Sequence, residues 1–216
     1  MSAFTVSNLR DFNVDTYRRS PGYNKIQRVA RYMVLPSFAM GLMGIAAGLA
    51  LGIVGGVRIH DHTYAAGNIE RLRQLAQGFE IGGLGFVFAG ISFAIARILG
   101  IFRKGGGDVQ EAAHRAVQVL KRPLTAWVFL GLMMMGMMTV LAAGVLHVVS
   151  GFDVDTHATT AALHLSAKRY TALAGVERLG IGMYLTAIAF GLASIIHVLR
   201  FQAKRIRELP GEPATA

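Results

Sequence analysis

Four stretches of this sequence are long and uncharged enough to cross a membrane, and they limit the chain to one class of fold. A bilayer core about 30 Å thick needs roughly 20 apolar residues of helix. Residues 32–57, 123–152 and 179–199 meet this requirement. Residues 81–96 meet it only if Arg97 extends its charged end towards the lipid headgroups. We therefore predict an all-α integral membrane protein with four transmembrane helices.

The composition excludes several other classes of protein. Hydrophobic residues make up 53% of the chain and charged residues only 16%, whereas soluble domains carry about 25% charged residues. The absence of cysteine excludes disulfide scaffolds, iron–sulfur clusters and cysteine nucleophiles. No nucleophile elbow, phosphate loop, zincin helix or dinucleotide fingerprint occurs. We therefore do not expect catalysis by this chain alone, although a role beside a membrane enzyme stays open.

The basic residues predict how the chain is oriented. Of the 22 Lys and Arg, 16 lie before the first stretch, between the second and third, or after the fourth, if Arg97 is counted with them. Basic loops stay in the cytoplasm, so we expect both termini there. This predicts a multi-pass protein of a cell membrane, most simply a bacterial inner membrane. Attraction to anionic lipid headgroups then explains the net charge of +10 without a nucleic-acid partner.

The chain also carries signs of an internal duplication. At a constant offset of 97 residues, nine of 26 positions match across the second and fourth stretches, including Glu80 with Glu177 and Gly83 with Gly180. Two copies of a two-helix hairpin have the same orientation, which argues against an inverted-repeat transporter. The predicted organisation is a cytoplasmic segment (1–31), a first repeat (32–102), a cytoplasmic loop (103–122), a second repeat (123–201) and a cytoplasmic tail (202–216).

The central cytoplasmic loop contains a predicted amphipathic helix. Asp108 followed three residues later by Glu111 is typical of a helix start. The apolar residues after it recur at helical spacing, which predicts a helix lying on the membrane surface or against a partner. This stripe consists of Val109, Ala112, Ala116, Val117 and Leu120.

Small residues at helical spacing predict where the membrane helices approach one another. Packing of small residues drives helix association in lipid. We expect the small faces of the second and fourth stretches to meet, with Gly83 near Gly180. The predicted packing glycines are Gly44, Gly48, Gly52 and Gly56 in the first helix, Gly83 and Gly90 in the second, and Gly180 and Gly191 in the fourth.

Two glutamates are candidates for an ion or proton site. Glu80 and Glu177 are related by the same offset and lie at the outer ends of their apolar stretches. If they converge, they would hold a cation or a proton. The alternative is that each lies in the first turn of its helix, where the helix dipole favours a carboxylate.

Histidines provide a second candidate site. Imidazole and carboxylate groups bind zinc or copper, so a divalent metal or copper is a candidate cofactor on the outer side, although loop histidines are usually solvated. The residues predicted for it are His60, His62, His157 and His164. His147 and His197 lie near opposite ends of their stretches, too far apart in depth to share a haem, and each is expected at an interface.

These features lead to three hypotheses on function. The first is a non-catalytic integral membrane subunit that packs with other membrane subunits in a larger complex, since small-residue ridges and a methionine-rich third helix favour packing. The second is a small oligomeric channel or transporter whose pathway is lined by Glu80 and Glu177. The third is a membrane protein that binds metal on its periplasmic side.

Overall fold

The computed structural model describes residues 12–19, 21–22, 25–60, 65–104, 107–155 and 157–211. Helices dominate this part of the chain. They are α1 (Lys25–His60), α2 (Ala66–Phe102), α3 (Gly107–Ala112), α4 (Leu124–Asp153) and α5 (Thr160–Glu208), with a 3-10 turn at Leu209–Gly211 and two short strands, β1 (Val14–Tyr17) and β2 (Val117–Leu120).

Helices α1, α2, α4 and α5 are each long and apolar enough to cross a membrane. The chain is therefore a multi-pass membrane protein, as its uncharged stretches predict. The helices extend well beyond those stretches, because the polar residues before them continue the helical backbone. Glu80 lies 14 residues after the start of α2, and Glu177 lies 17 residues after the start of α5. The expectation that both glutamates occupy a first helical turn is wrong, since the dipole effect is confined to that turn.

The chain divides into two compact units. The helical unit contains residues 33–92 and 130–187, which are parts of α1, α2, α4 and α5. Within it α2 contacts the other three helices. Of the most apolar 18 residues of α2, 44% are buried, compared with 17% in α1. Helix α2 is therefore the central element of the helical unit.

Glycines bring α1 and α2 close together. A Cβ atom at Gly83 would lie 2.7 Å from the carbonyl oxygen of Gly41 and 2.6 Å from the nitrogen of Ile45. One turn further along α1, a Cβ at Gly44 would lie 2.9 Å from the Cα of Gly83. Real Cβ atoms do not approach backbone atoms this closely. Only glycine permits the observed helix separation.

The glycine ridge of α1 does not face one neighbour along its whole length. Gly48 lies against α2, where an added Cβ would meet the backbone of Ala76 and Glu80 at 2.8 Å. Gly52 and Gly56, further along the same ridge, have nothing within 4 Å of the corresponding position. Gly52 and Gly56 therefore face away from α2, although α1 still contacts α2 at Gly55, where an added Cβ would lie 3.7 Å from Leu72.

The predicted approach of Gly83 to Gly180 is wrong. Gly83 packs on α1, whereas an added Cβ at Gly180 would meet Val140 of α4 at 2.6 Å. Each glycine packs on the helix before its own. The small faces also make other contacts, since Gly90 lies against the ring of Phe38.

Helix α2 reaches α4 through a different set of glycines. A Cβ at Gly78 would lie 2.8 Å from the carbonyl oxygen of Gly144 and 2.7 Å from the Val148 side chain. A Cβ at Gly144 would in turn lie 3.0 Å from the nitrogen of Gly82. This close approach sets the distance between side chains that follow on the two helices.

The second unit contains residues 1–32, 93–129 and 188–216, and we call it the basic unit. Strands β1 and β2 pair antiparallel, with Val14 opposite Leu120 and Tyr17 opposite Val117. In α5, Gly191 packs against Ile95 and the ring of Phe129. All of these contacts lie within the basic unit.

The predicted amphipathic helix is shorter than expected. Helix α3 ends at Ala112, and His114 adopts a left-handed conformation with φ of 50°. The backbone amide of His114 donates to the carbonyl oxygen of Glu111, and the amide of Arg115 donates to the carbonyl oxygen of Gln110. This is the hydrogen-bond pattern of a Schellman C-cap. The expectation that the helix runs on to Leu120 is wrong, because pairing with β1 draws the following residues into a strand.

Arg205 joins the end of α5 to α3 and to the residue that precedes β2. Its side chain is completely buried. The Nε atom donates to Oε1 of Gln110 at 3.0 Å, and Nη2 donates to the carbonyl oxygen of Ala116 at 3.2 Å. Nearby, Nε of Arg103 donates to the carbonyl oxygen of Leu120 at 2.7 Å. Arginine donors thus hold the sheet and the helix ends in one unit.

The glycine ridge of α1 provides a matched pair of substitutions. We expect Gly48→Ala to lower the free energy of unfolding by about 1–3 kcal/mol, because its methyl group overlaps the α2 backbone. Gly52→Ala, one turn away, should be neutral or stabilising by about 0.5–1 kcal/mol, because alanine favours helix and meets open space. Thermal unfolding of both variants in detergent measures the difference. Equal effects would contradict the observed packing.

Candidate functional site

A histidine and a glutamate form a buried pair inside the helical unit. His147 of α4 is completely buried, and the exposed fraction of Glu177 of α5 is 4%. Nε2 of His147 lies 2.7 Å from Oε1 of Glu177. Neither atom has a well-aligned hydrogen-bond partner among the described residues, so this contact is a close polar pair rather than a hydrogen bond. The expectation that His147 is an interfacial residue is wrong.

A glutamine fixes which nitrogen of His147 carries a proton. Nδ1 lies 2.6 Å from Oε1 of Gln74, a residue of α2. The amide nitrogen of Gln74 donates to Ser166 at 3.3 Å and to Glu70 at 3.2 Å, which assigns its oxygen to the histidine side. Because an amide oxygen only accepts, Nδ1 must be the donor.

This tautomer determines how many protons the pair holds. With Nδ1 protonated, a neutral His147 presents a lone pair at Nε2 to an oxygen of Glu177 only 2.7 Å away. An unprotonated Nε2 and an ionised carboxylate oxygen repel each other at that distance, because both carry negative partial charge. The pair is therefore favoured either as imidazolium with carboxylate or as neutral imidazole with carboxylic acid. Both forms have no net charge, as an apolar environment requires.

Further polar groups hold the second oxygen of Glu177. The amide of Gln77 donates to Oε2 of Glu177 at 3.0 Å and accepts from the hydroxyl of Tyr170 at 3.2 Å. The ring of Tyr170 also packs edge-on against His147, with ring centroids 5.2 Å apart. These contacts fix the orientation of both members of the pair.

A second glutamate connects this network towards the protein surface. Glu70 accepts from the hydroxyl of Ser166 at 2.8 Å and from Gln74, and its side chain is 12% exposed. Arg73 forms an ion pair with Glu70 at 3.2 Å and lies over the ring of Tyr170 at 4.1 Å. Glu70 is thus two hydrogen bonds from His147, beside an exposed arginine.

Most of this network was not predicted from the sequence, although its spacing carries a signal. Glu70, Gln74 and Gln77 occur at intervals of four and three residues, so they share one face of α2. On α5, Ser166, Tyr170 and Glu177 share a face in the same way. A polar stripe on a helix of a membrane protein indicates a polar partner, but it does not identify that partner as His147.

The structure gives the two predicted glutamates different partners. Glu177 lies against His147 and Gln77, whereas Glu80 is half-buried and lies where α2 packs on Gly48 of α1. Among the described residues, no hydrogen bond or ion pair joins Glu80 to Glu177. The pairing of Glu177 with a histidine replaces the pairing expected from the offset of 97.

The structure describes three of the four histidines proposed as metal ligands, and it places them on different segments. His60 is the last residue of α1, and His164 is exposed on α5. His157 precedes α5 and therefore does not share a helix with His164. His62 lies outside the described residues. The part of the chain that the structure describes contains no group of three metal-binding side chains, and the metal site stays a prediction.

Two other predicted features lie apart from the buried pair. His197 is exposed in the basic unit, with its ring centroid 5.3 Å from that of Phe12. Of the α4 methionines, Met133 is buried, whereas Met134, Met135 and Met138 are more than half exposed. The methionine run therefore faces more than one environment.

Comparisons with known proteins do not assign a function to this site. No family model, curated protein or solved structure matches the chain.

A double-mutant cycle tests whether His147 and Glu177 act as one pair. We expect His147→Leu and Glu177→Leu each to cost about 3–5 kcal/mol, since each leaves a buried charged or polar group unpaired. The double variant should cost less than the sum by about 0.5–3 kcal/mol. His197→Leu, at an exposed histidine, should change stability by less than about 0.5 kcal/mol. Additive effects of the two single changes would contradict the pair.

Proposed function

We propose that this chain is a membrane protein that takes up and releases protons at the His147–Glu177 pair, acting as a small channel or transporter. One observation carries the proposal. A histidine and a glutamate lie 2.7 Å apart in the interior of the helical unit, where a pair without net charge is favoured. Buried ionisable groups in membrane proteins are costly and commonly belong to ion or proton pathways.

The cost of charge burial couples the proton to a second event. If the pair lost its proton, it would carry one negative charge among apolar side chains, which is strongly unfavourable. Entry of a cation or a conformational change that hydrates the pair would offset this cost. Proton release is therefore tied either to ion entry or to a structural change, which is the basis of coupled transport.

The polar neighbours of the pair fix the position of its proton and connect the pair with the solvent. Gln74 and Gln77 hold the pair in one orientation, so the shared proton has a defined position. Glu70 and the hydroxyl of Ser166 lie between the pair and the surface. In this proposal Glu70 exchanges protons with solvent, and Arg73 stabilises its carboxylate.

The proposal also includes an orientation and a duplication. The charge distribution supports cytoplasmic termini in a bacterial inner membrane, which places the buried pair towards the outer side. The duplication is supported by equivalent packing, because Gly83 packs on α1 and Gly180 on α4. The hairpins differ in that the position equivalent to His147 is Ala50 in the first copy. Only the second copy then holds a proton-binding pair.

Proton flux in liposomes tests the proposal. We expect the purified chain to change the internal pH of liposomes when a pH gradient or membrane potential is imposed. His147→Gln and Glu177→Gln should each reduce this flux by at least about tenfold, because each removes one site of the shared proton. A pH-sensitive dye inside the liposomes measures the rate.

Glu80→Gln is the matched control. It removes the same charge from the equivalent position of α2, where Glu80 packs on α1 and has no hydrogen bond or ion pair to His147 or Glu177 among the described residues. The proposal predicts flux close to that of the unmodified chain. Equal loss of flux in Glu80→Gln and Glu177→Gln would favour a paired-glutamate pathway. Unchanged flux in both pair variants would contradict a proton function at this site.

A second candidate function is that of a subunit in a larger membrane complex. An apolar groove of about 390 Å³ lies between α1 and α2, with a floor that includes Gly44, Gly78 and Gly82. Its walls include Met40 and Phe79. A floor of glycines beside flexible methionines is suited to a transmembrane helix of another subunit.

Photocrosslinking in native membranes tests this second function. Replacing Phe79 with benzoylphenylalanine places a crosslinker on the groove wall with little change of shape. We expect one discrete crosslinked protein, because a packed subunit presents the same helix to every copy. Leu185, an exposed residue of α5, is the control position and should give no discrete product. Crosslinking to lipid alone at Phe79 would contradict the subunit hypothesis.

A further inference from the structure

A strongly basic cleft lies in the basic unit, formed only by residues of that unit. Its volume is about 960 Å³, and its lining includes Arg18 and Arg19 after β1 and Arg115 after α3. His114 also lines the cleft, and Glu111 is the one carboxylate among the described residues of its lining. These described residues present three guanidinium groups and one acid.

Arg115 has unsatisfied donors at this cleft. Its Nε and Nη1 atoms are buried and have no hydrogen-bond partner among the described residues. A guanidinium group does not lose its proton at physiological pH. Buried donors without hydrogen-bond partners are costly, and the cost is larger when the group is charged. Arg115 lines the cleft beside Arg18 and Arg19, so an anion bound there would lie next to this incompletely paired guanidinium charge.

The backbone turn before Arg115 contributes to the lining. His114 occupies the left-handed C-cap position, which in most helices is a glycine. A glycine at this position would leave the cleft without the imidazole that lines it. The turn thus places two adjacent basic side chains at the cleft.

We infer that this cleft binds the phosphate group of an organic phosphate ester, with an anionic phospholipid headgroup as the favoured source. Arginine forks donate paired hydrogen bonds to phosphate oxygens, and several arginines bind a phosphate together. The volume of 960 Å³ exceeds what one inorganic phosphate needs and accommodates the attached organic group. This inference is independent of the proton function.

Residues of the same unit that are typical of a membrane interface favour a lipid. Trp127, near the start of α4, is 55% exposed, with the guanidinium of Arg122 5.2 Å from its ring centroid. Leu124, the first residue of α4, is 78% exposed. Exposed tryptophan beside basic residues is characteristic of the headgroup region. A lipid headgroup is therefore within the surroundings of this unit.

Native mass spectrometry of the full chain in neutral detergent tests the inference. We expect the chain to retain one phosphatidylglycerol and to discriminate against phosphatidylcholine, which has no net charge. Arg18→Gln combined with Arg19→Gln should reduce retention by at least about tenfold. Both arginines are exposed, so these changes should leave the fold intact. Arg115→Lys keeps the charge but loses the guanidinium fork, and it should also weaken retention.

The matched control removes two charges from elsewhere in the same unit. Arg200→Gln combined with Arg207→Gln changes two exposed arginines of α5 outside the cleft. Retention should stay within about twofold of the unmodified chain. Equal loss in both double variants would show that lipid is held by diffuse charge, and unchanged retention in the cleft variant would also overturn the inference.

A competition arm identifies the source of the phosphate group. Lipid that stays bound in excess inorganic phosphate and excess soluble glycerol phosphate supports the headgroup. Displacement of lipid by glycerol phosphate in the unmodified chain, with loss of that effect in the cleft variant, supports a soluble phosphate ester instead. Failure of both lipid and glycerol phosphate to bind would overturn the inference, whatever the result of the proton-flux experiment.

Discussion

The contact between His147 and Glu177 depends on how closely α2, α4 and α5 approach one another. Nδ1 of His147 reaches Gln74 at 2.6 Å because α2 and α4 touch at Gly78 and Gly144, about one turn from these side chains. Larger residues at these two glycines would separate the helices. The buried side chains of Gln74, His147 and Glu177 would then lose partners. Glycine packing and the polar network therefore stabilise one another, since each would be costly without the other.

The helix pairs α1–α2 and α4–α5 share a sequence pattern, but its glutamate has different neighbours in each pair. In both, a glycine of the second helix packs on the preceding helix, and a glutamate lies three residues before that glycine. Glu177 has an imidazole opposite it, whereas Glu80 lies against a glycine surface. A carboxylate that faces an imidazole can form a pair without net charge, and one at a partly exposed helix contact does not need to. We therefore propose the proton function for the second hairpin only.

The sequence by itself determined the class of fold. Four uncharged stretches require transmembrane helices, because backbone groups in lipid must be satisfied within the segment. The positions of the basic residues likewise determined that the segments before the first stretch, between the second and third, and after the fourth are positively charged. Short segments outside the membrane were less predictable. The apolar stripe from Val109 to Leu120 fits a helix by spacing. Residues 117–120 instead pair with β1, and the paired positions are about 100 residues apart in the sequence.

Tertiary structure decided the site, because it depends on how the helices are rotated and which neighbour each face meets. The sequence shows glycines every four residues along α1, but only the structure shows that Gly48 lies against α2 and that Gly52 faces open space. In the same way, spacing places Gln74 on one face of α2 without showing that His147, 73 residues later, donates to it. Helical periodicity determines which side chains share a face of one helix, but not which neighbouring helix that face contacts. Which ionisable groups are buried together in the interior is decided by the packing of several helices.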